Sequence, residues 1–151
     1  MKILLLHQYF NTLEDSGSIR AYEFSKRLVR DGHQVTVITS STKENENFFK
    51  WNFQKIDNID IYYLPNKYSN NFNFYRRIFS FLRFAVLSTF KIVKFDYDII
   101  IASSTPLTIA IPALISLKFK KKKFIFEVRD LWPEMPIAVG AIKNFFLIKI
   151  L

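Results

Sequence analysis

Side chains that could do chemistry fall in three short polar segments, and each follows an apolar run. The first segment, residues 11–20 (NTLEDSGSIR), combines Gly17 and Ser18 with Arg20. Glycine lets a backbone approach a ligand closely, and the amide groups at a helix start attract anions. The segment therefore suits a phosphate or a sugar hydroxyl, and an ordinary surface loop is the alternative that it leaves open.

The second segment, residues 103–106 (SSTP), offers a cluster of hydroxyl groups. Ser104 and Thr105 are its candidate ligand-binding residues, because a hydroxyl can donate and accept hydrogen bonds. The same side chains commonly cap the start of a helix, which is the alternative role here. His7, at the end of the first apolar run, is a further residue that could face the same side.

The third segment, residues 127–134 (EVRDLWPE), concentrates charge where an apolar run ends. Asp130 is the candidate catalytic residue, since a carboxylate in such a place can orient or deprotonate a hydroxyl group. Arg129 and Glu134 can bind polar groups, and Trp132 can stack on a sugar ring. The alternatives are that Trp132 fills the core and that Arg129 pairs with a neighbouring carboxylate only to support the loop.

The elements around these segments predict an α/β fold, a Rossmann-like parallel sheet flanked by helices. Residues 2–39 read as strand, loop, helix and strand, which is a βαβ unit. Strands are predicted at 59–64, 98–103 and 124–128, helices at 19–30, 74–95, 106–118 and 137–151, and a loop or irregular insertion at 40–58. Ligands of open parallel sheets bind outside the carboxyl ends of the strands, so we expect the three polar segments along one rim.

The composition bounds the kind of site. The 151 residues are 50% hydrophobic, which fits one packed domain. The absence of cysteine excludes disulfides and thiolate metal sites, and two histidines make a histidine-rich metal site improbable, so no metal ion is predicted. With three glycines there is no G-x-G-x-x-G or P-loop motif, so the usual signatures of NAD binding and phosphoryl transfer are missing.

The net charge of +9 is concentrated in the middle of the chain. Residues 66–123 carry eleven Lys and Arg residues against two acids. Such a segment indicates an anionic partner: a phospholipid surface, a nucleic acid or a phosphorylated ligand. A solvated lysine face is the alternative. A nucleic-acid-binding domain stays open as a rival function, although the sequence carries no nucleic-acid-binding motif, and we predict no nucleic-acid partner.

One predicted helix, residues 74–95, has phenylalanines interleaved with basic residues. Rings that insert at a lipid interface, with cations on the phosphates, would use such a pattern. We therefore predict that this helix faces a membrane, although rings packed beneath residues 40–58 are the alternative. The residues predicted to face the membrane are Arg76, Arg77, Phe79, Arg83 and Lys91.

Two apolar segments are candidates for a membrane span and for a signal peptide. Residues 99–117 are uncharged, but their SSTP block is typical of a turn and a helix start, so a strand, turn and helix are predicted there. The amino-terminal run is too short for a signal peptide. We predict a cytoplasmic protein.

Several motifs together resemble the N-terminal domain of family 4 glycosyltransferases, which have the two-Rossmann GT-B architecture. The likeness runs over nearly the whole chain. It is carried by MKILLLHQYF at the start, GSIR at 17–20, LVRDGHQVTVIT at 28–39, YDIIIASSTP at 97–106, and RDLWPE at 129–134 with GAI at 140–142. The RDLWPE motif resembles the subgroup that builds O-antigen, capsule and related glycans.

The resemblance implies a retaining transfer of a sugar from a nucleotide sugar, with no cofactor and no metal ion. The acceptor would bind this N-terminal domain, residues 1–151, and the nucleotide would bind mainly a C-terminal domain that this sequence lacks. We therefore expect the chain to be truncated within its last helix and to be inactive alone. Arg129 stands where many relatives have His, so the polar catalytic role is carried over to the adjacent Asp130.

The resemblance also gives the basic helix a use, because these enzymes often act on lipid-pyrophosphate acceptors. It implies a lipid-linked or glycan acceptor and a peripheral location at the inner face of the cytoplasmic membrane. A non-catalytic binding or scaffold subunit, with the donor-binding domain on a partner chain, is the rival from another functional class.

Overall fold

The computed structural model describes residues 1–40, 51–66, 72–104 and 106–129, together with Ile137 and Gly140. The elements alternate between strands and helices along most of the chain. In order they are β1 (Lys2–Leu6), α1 (Arg20–Arg30), β2 (Gln34–Ser40), β3 (Asn52–Ile56), β4 (Ile59–Leu64), α2 (Phe74–Ile92), β5 (Ile99–Ser103), a 3-10 turn (Leu107–Ile109), α3 (Ala110–Lys120) and β6 (Lys123–Glu127). Apart from Ile137 and Gly140, the helix predicted at 137–151 lies outside the described residues.

These strands form one six-stranded sheet with the order β3-β4-β2-β1-β5-β6. Every neighbouring pair is parallel except β3 and β4. The chain runs from β1 towards one edge through β2 and later returns to the other side of β1 with β5 and β6. This arrangement confirms the predicted α/β fold. The strand order reverses between β1 and β5, which is the switch point of the sheet.

The prediction of a loop over residues 40–58 is wrong for its second half, because β3 forms there. β3 pairs antiparallel with β4 through a two-residue turn in which Asp57 and Asn58 have φ of 48° and 61°. Positive φ at both central residues is typical of the hairpin turn that suits twisted strands. β3 is a largely exposed edge strand, so its sequence lacks the apolar run that marked the other strands. Residues 41–50 lie outside the described part of the chain.

The sheet is covered on both faces by separate apolar layers. Leu4 and Leu6 belong to the layer beneath α2 and α3, and Ile3 and Leu5 belong to the layer beneath α1. Alternate side chains of a strand point to opposite faces, so both faces of β1 are buried, as its continuous apolar sequence predicts. Burial of each such side chain contributes roughly 1.5–3 kcal/mol.

α1 ends in the way that its sequence predicts. Gly32 has φ of 83°, its amide donates to the Val29 carbonyl, and the His33 amide donates to the Leu28 carbonyl. This pair of bonds is the Schellman motif, which satisfies the last carbonyl groups of a helix. The start of α1 at Arg20 also agrees with the predicted helix over 19–30.

The buried face of α1 is narrower than the sequence suggests. Tyr22 and Ser25 are buried, whereas Phe24, predicted to share the core-facing side, is 44% exposed. The Tyr22 and Phe24 side chains are separated by about 200° around the helix, so the core accommodates one of them.

The uncharged residues 99–117 fold as predicted into a strand, a turn and a helix. β5 is buried, the 3-10 turn follows Pro106, and α3 runs on to Lys120. Among the described residues, no helix combines the length and the apolar character that crossing a membrane requires.

Candidate functional site

The carboxyl ends of β1, β5 and β6 lie side by side at one edge of the sheet. The strand register places Leu6 opposite Ala102 and Ser103 opposite Glu127. The residues that end or follow these strands, among them His7, therefore form a single row. For the described residues this confirms that the polar segments converge along one rim.

Glu127 is the most connected carboxylate of this rim. The Ser103 hydroxyl donates to Glu127 Oε2 at 2.5 Å, and the Arg20 guanidinium donates to Glu127 Oε1. Burial raises the pKa of Glu127, but these hydrogen bonds and the charges of Arg20 and Arg129 outweigh it, so the pKa lies below its ordinary value. Glu127 is therefore ionised at neutral pH, and it ties the start of α1 to the end of β6.

Ser104 connects the ends of β5 and β6. Its backbone amide donates to the Glu127 carbonyl at 2.9 Å, and its hydroxyl accepts from the Arg129 amide at 2.8 Å. The Ser104 side chain is buried. In this structure its hydroxyl fixes the backbone of Arg129, a use different from both the helix cap and the ligand contact considered from the sequence.

His7 and Arg129 make the second polar contact of the rim. The Arg129 guanidinium donates to His7 Nε2 at 3.1 Å, while the Tyr9 amide lies 3.3 Å from Nδ1. The Tyr9 amide is the donor in its contact with Nδ1. Burial, and after it the charge of Arg129, lower the pKa of His7 to about 4, while the charge of Glu127 opposes this change. His7 is therefore a neutral imidazole at physiological pH.

An open cleft of about 400 Å³ lies in front of this row, between α1 and the part of β5 and β6 that no described helix covers on this side of the sheet. Its walls are mostly apolar, with a few polar groups at the carboxyl edge, which is the usual composition of a small-molecule site. The lining residues are Leu5, His7, Arg20, Ala21, Glu23, Phe24, Arg27, Ile101, Ser103, Ile125, Glu127 and Arg129. Arg20 and Arg129 are thus predicted site residues that the structure places in the cleft, together with His7, which the sequence analysis expected on the same side.

Gly17 and Ser18 lie beside the cleft, in the exposed loop before α1, and do not line it. Gly17 has φ of 125°, and a Cβ atom there would lie 2.5 Å from Asn11 Nδ2. Glycine is therefore favoured here by its positive φ, which side chains rarely adopt, whereas the end of the Asn11 side chain could move aside. The remaining predicted site residues, Thr105, Asp130, Trp132 and Glu134, lie outside the described residues, and their roles stay predictions.

Phe24 and Arg27 are cleft residues that the sequence did not mark as site residues, and Glu127 was considered there only as an ion-pair partner of Arg129. Arg20, Phe24 and Arg27 follow the i, i+4, i+7 spacing that lines one face of a helix. That spacing was readable in the sequence, but basic residues on α1 were assigned to the solvent side. Among the described residues, no group of histidines and carboxylates could hold a metal ion.

A second surface lies on the opposite face of the sheet, where α2 and α3 pack together. We call it the α2–α3 surface and define it by its exposed apolar side chains. They are Tyr75, Ile78, Phe79, Leu82, Val86, Phe90 and Val93 of α2 and its end, and Ile111, Leu114, Leu117 and Phe119 of α3.

The basic residues of α2 divide between this surface and the interior. Arg76 and Arg77 are exposed, as is Phe79, and Arg83 is half-buried. Lys91 differs from its predicted membrane-facing position, because its ammonium group lies over the rings of Trp51 and Tyr62 at 4.4 Å and 4.6 Å. Burial lowers the pKa of Lys91, and the charge of Lys94 acts in the same direction. Cation–π contacts thus hold Lys91 against the β3–β4 hairpin.

The fold is similar to that of a much larger enzyme. The structure of sucrose-phosphate synthase from Thermosynechococcus elongatus matches 97% of this chain with a TM-score of 0.59 and 11% sequence identity. At this identity the likeness concerns the fold, a GT-B Rossmann-like half. The chain spans 36% of the length of that enzyme. No curated protein matches the sequence.

The sequence itself identifies the family. The profile of Glycosyltransferase Family 4 matches residues 17–149, which is most of the chain. The matched range contains α1 with Arg20, the end of β5 with Ser103, and the end of β6 with Glu127 and Arg129, so it covers the cleft except for residues of β1. This chain belongs to glycosyltransferase family 4, as an N-terminal glycosyltransferase domain.

Proposed function

We propose that this domain holds the acceptor in a transferase that moves a sugar from a nucleotide sugar to a lipid-linked glycan. The product would be a cell-surface polysaccharide such as O-antigen or capsule. The transferred group would be a hexosyl or N-acetylhexosaminyl residue, moved with retention and without a metal ion. The observation that supports the proposal is the row of His7, Ser103, Glu127 and Arg129 beside an open cleft at the carboxyl edge.

Each group of the row can bind a hydroxyl in its own way. The Glu127 carboxylate is an acceptor for a hydroxyl proton, and the Arg129 guanidinium is a donor to a hydroxyl or phosphate oxygen. The neutral imidazole of His7 keeps Arg129 in place through Nε2. Asp130 directly follows Arg129 in the sequence, and we propose it as the residue that orients the attacking hydroxyl.

The donor would be bound elsewhere. Because the chain spans 36% of the length of sucrose-phosphate synthase, a complete transferase has room for a second domain. We propose that such a domain, in the same protein or on a partner chain, binds the nucleotide sugar over the carboxyl edge. The 151 residues alone would then lack transferase activity.

The α2–α3 surface would bring the domain to its acceptor at the inner face of the cytoplasmic membrane. Its exposed rings and aliphatic side chains share α2 with the exposed Arg76 and Arg77. The lysines of residues 118–123 add positive charge at the end of α3. An interfacial surface of this kind combines burial of apolar side chains with attraction to anionic lipids.

A transfer assay tests the proposal. The chain, joined to or mixed with its donor-binding domain, is incubated with radiolabelled nucleotide sugars and a membrane lipid extract, with and without EDTA. Label is expected in the lipid fraction in both samples, and the anomeric configuration of the product is read by NMR. The control is Arg30→Gln, which lies on α1 outside the cleft.

Two results would contradict the proposal. If Glu127→Gln and Arg129→Gln transfer as much label to lipid as the wild type does, the residues of the carboxyl edge take no part in the reaction. The absence of transfer from every nucleotide sugar, with the donor-binding domain shown to be folded, would instead favour the binding or scaffold role.

A further inference from the structure

The cleft under α1 carries an excess of positive charge. Its lining includes three guanidinium groups, from Arg20, Arg27 and Arg129, and two carboxylates, from Glu23 and Glu127, which leaves one net positive charge. Glu127 is engaged by Arg20. Two of the three guanidinium groups therefore lack a direct carboxylate partner in the part of the chain that the structure describes.

The two remaining arginines approach the cleft from different elements. Arg27 lies on the exposed face of α1 and makes no ion pair with the described residues. Arg129 follows β6 and contacts the neutral His7, which cannot compensate its charge. A guanidinium group has five N–H donors in a planar fork, so Arg129 has donors beyond its contact with His7 that no other described residue accepts from.

The floor between these arginines is apolar. Ile125 of β6 is 48% exposed there, beside Leu5 and Ile101, and the exposed Phe24 ring forms the α1 side. In the register Leu5, Ile101 and Ile125 lie in one line across three strands. Such a floor suits the C–H face of a sugar ring, and the guanidinium groups that line the same cleft suit an anion attached to that ring.

We propose that this cleft selects an acceptor sugar with an anionic substituent, a phosphate or a carboxylate, which Arg27 and Arg129 bind together. The inference rests on the proposed function and adds the chemical class of the acceptor. A planar fork binds both oxyanions through paired hydrogen bonds, and a neutral sugar of the same size would leave the two guanidinium groups without a counter-charge.

Titration calorimetry with soluble probes tests the proposal on the chain itself. The probes are glucose 6-phosphate, glucuronate, inorganic phosphate and neutral methyl glucoside. Both anionic sugars are expected to bind more tightly than methyl glucoside and inorganic phosphate, and added salt should weaken their binding. Anionic vesicles added as competitors show whether a lipid headgroup takes the same place.

The variants locate the site. Arg27→Gln and Arg129→Gln are each expected to weaken binding of glucose 6-phosphate by about tenfold, because each removes charge-assisted hydrogen bonds. Arg27→Lys keeps the charge and loses the fork, so an intermediate affinity is expected. Arg30→Gln, on the same helix but outside the cleft, is the matched control and should bind normally.

The outcomes separate this inference from the proposed function. Equal affinity for methyl glucoside and glucose 6-phosphate, or unchanged binding by Arg27→Gln, would overturn the anionic class. Sugar transfer to a neutral acceptor that does not depend on Arg27 would overturn it while the transferase role stands. If anionic sugars bind in a way that depends on Arg27 but no sugar is transferred, the binding site would stand and the transferase role would be refuted.

Discussion

His7 is buried at the end of β1, with its Nε2 facing a guanidinium group. Protonation would put a charge on a buried ring and place it in contact with a second positive group, which costs free energy. The structure therefore depends on this histidine being neutral. The sequence placed His7 at the end of a strand, but its partner could not be predicted, because Arg129 is 122 residues away along the chain.

The pKa of His7 makes the stability of the domain depend on pH. An unfolded histidine is protonated near pH 6.5 and His7 in the folded domain near 4, so the unfolded chain binds more protons between these values. Unfolding free energy is expected to decrease as pH falls from about 6.5 to about 4, by about 3 kcal/mol. His7→Gln should lose most of this decrease.

Urea unfolding at pH 7.0 and 4.5 measures the effect. His33→Gln is the matched control, because His33 lies in the turn after α1, away from the carboxyl edge, and it should keep the wild-type dependence. An equal loss of stability in wild type and His7→Gln over this range would mean that His7 is not held neutral. Glu127, whose pKa is lowered from an ordinary value of 4.5, acts in the same direction only as pH approaches and falls below that value, and its contribution is common to wild type and His7→Gln.

At the scale of elements, Asn66 joins α2 to the ends of two strands. Its side-chain amide donates to Ser40 Oγ at the end of β2 at 3.1 Å and to the Ser80 carbonyl of α2 at 3.1 Å. Its backbone amide donates to the Leu64 carbonyl at the end of β4. Asn66 is buried, so each of these bonds replaces a contact with water.

Asn66→Ala is expected to lower the unfolding free energy by about 2 kcal/mol, because buried groups of Ser40 and Ser80 lose a hydrogen-bond partner. Chemical denaturation measures the change. Asn52→Ala is the control, since Asn52 is exposed at the start of the edge strand β3. A difference between the two variants smaller than about 0.5 kcal/mol would contradict the role given to Asn66.

The sequence predicted well those strands that are continuous apolar runs and those helices whose apolar residues lie on one side. β1, β2, β4, β5 and β6 have such runs, and α1 and α2 have clear starts and stops. β3 was missed because an exposed edge strand buries little apolar surface and so has no apolar run in its sequence. Asp57 and Asn58, which form the hairpin turn, marked the end of the strand, but only β4 on their other side has an apolar run. The place of Arg27 in the cleft could not be predicted, because the sequence alone does not reveal that Ile125 of β6 is exposed beside α1.

At the scale of the whole molecule, the two faces of the sheet differ in what their helices expose. The α1 face carries the cleft, and the α2–α3 surface carries most of the exposed apolar side chains. The excess of positive charge in residues 66–123 is on the second face and its connections. Charge and composition predicted an anionic partner. The structure was needed to show how the charged and apolar side chains are distributed between the two faces of the sheet.

Binding to vesicles tests the proposed use of the α2–α3 surface. The chain is expected to sediment with phosphatidylglycerol-containing vesicles and to be released by salt. Reversing the charge of both Arg76 and Arg77 to Glu should weaken binding by about tenfold or more, since each basic residue near an anionic surface contributes about 1 kcal/mol. Phe79→Ser should weaken it on neutral and anionic vesicles alike.

The same charge change on the α1 face is the control for this prediction. Lys26→Glu with Arg30→Glu alters two exposed residues of α1 and should leave vesicle binding closer to that of the wild type. Equal losses in the two double variants would indicate net charge alone and would contradict a specific membrane-facing surface.

The central claim is that the carboxyl edge of β1, β5 and β6 holds the acceptor. Nitrogen–proton correlation spectra of the labelled chain, titrated with a short-chain prenyl diphosphate disaccharide, test it most directly. The account predicts shift changes at the amides of His7, Ser104 and Arg129, with the amides of Lys2 and Gln34 at the opposite edge unchanged. Shift changes confined to that opposite edge would contradict it.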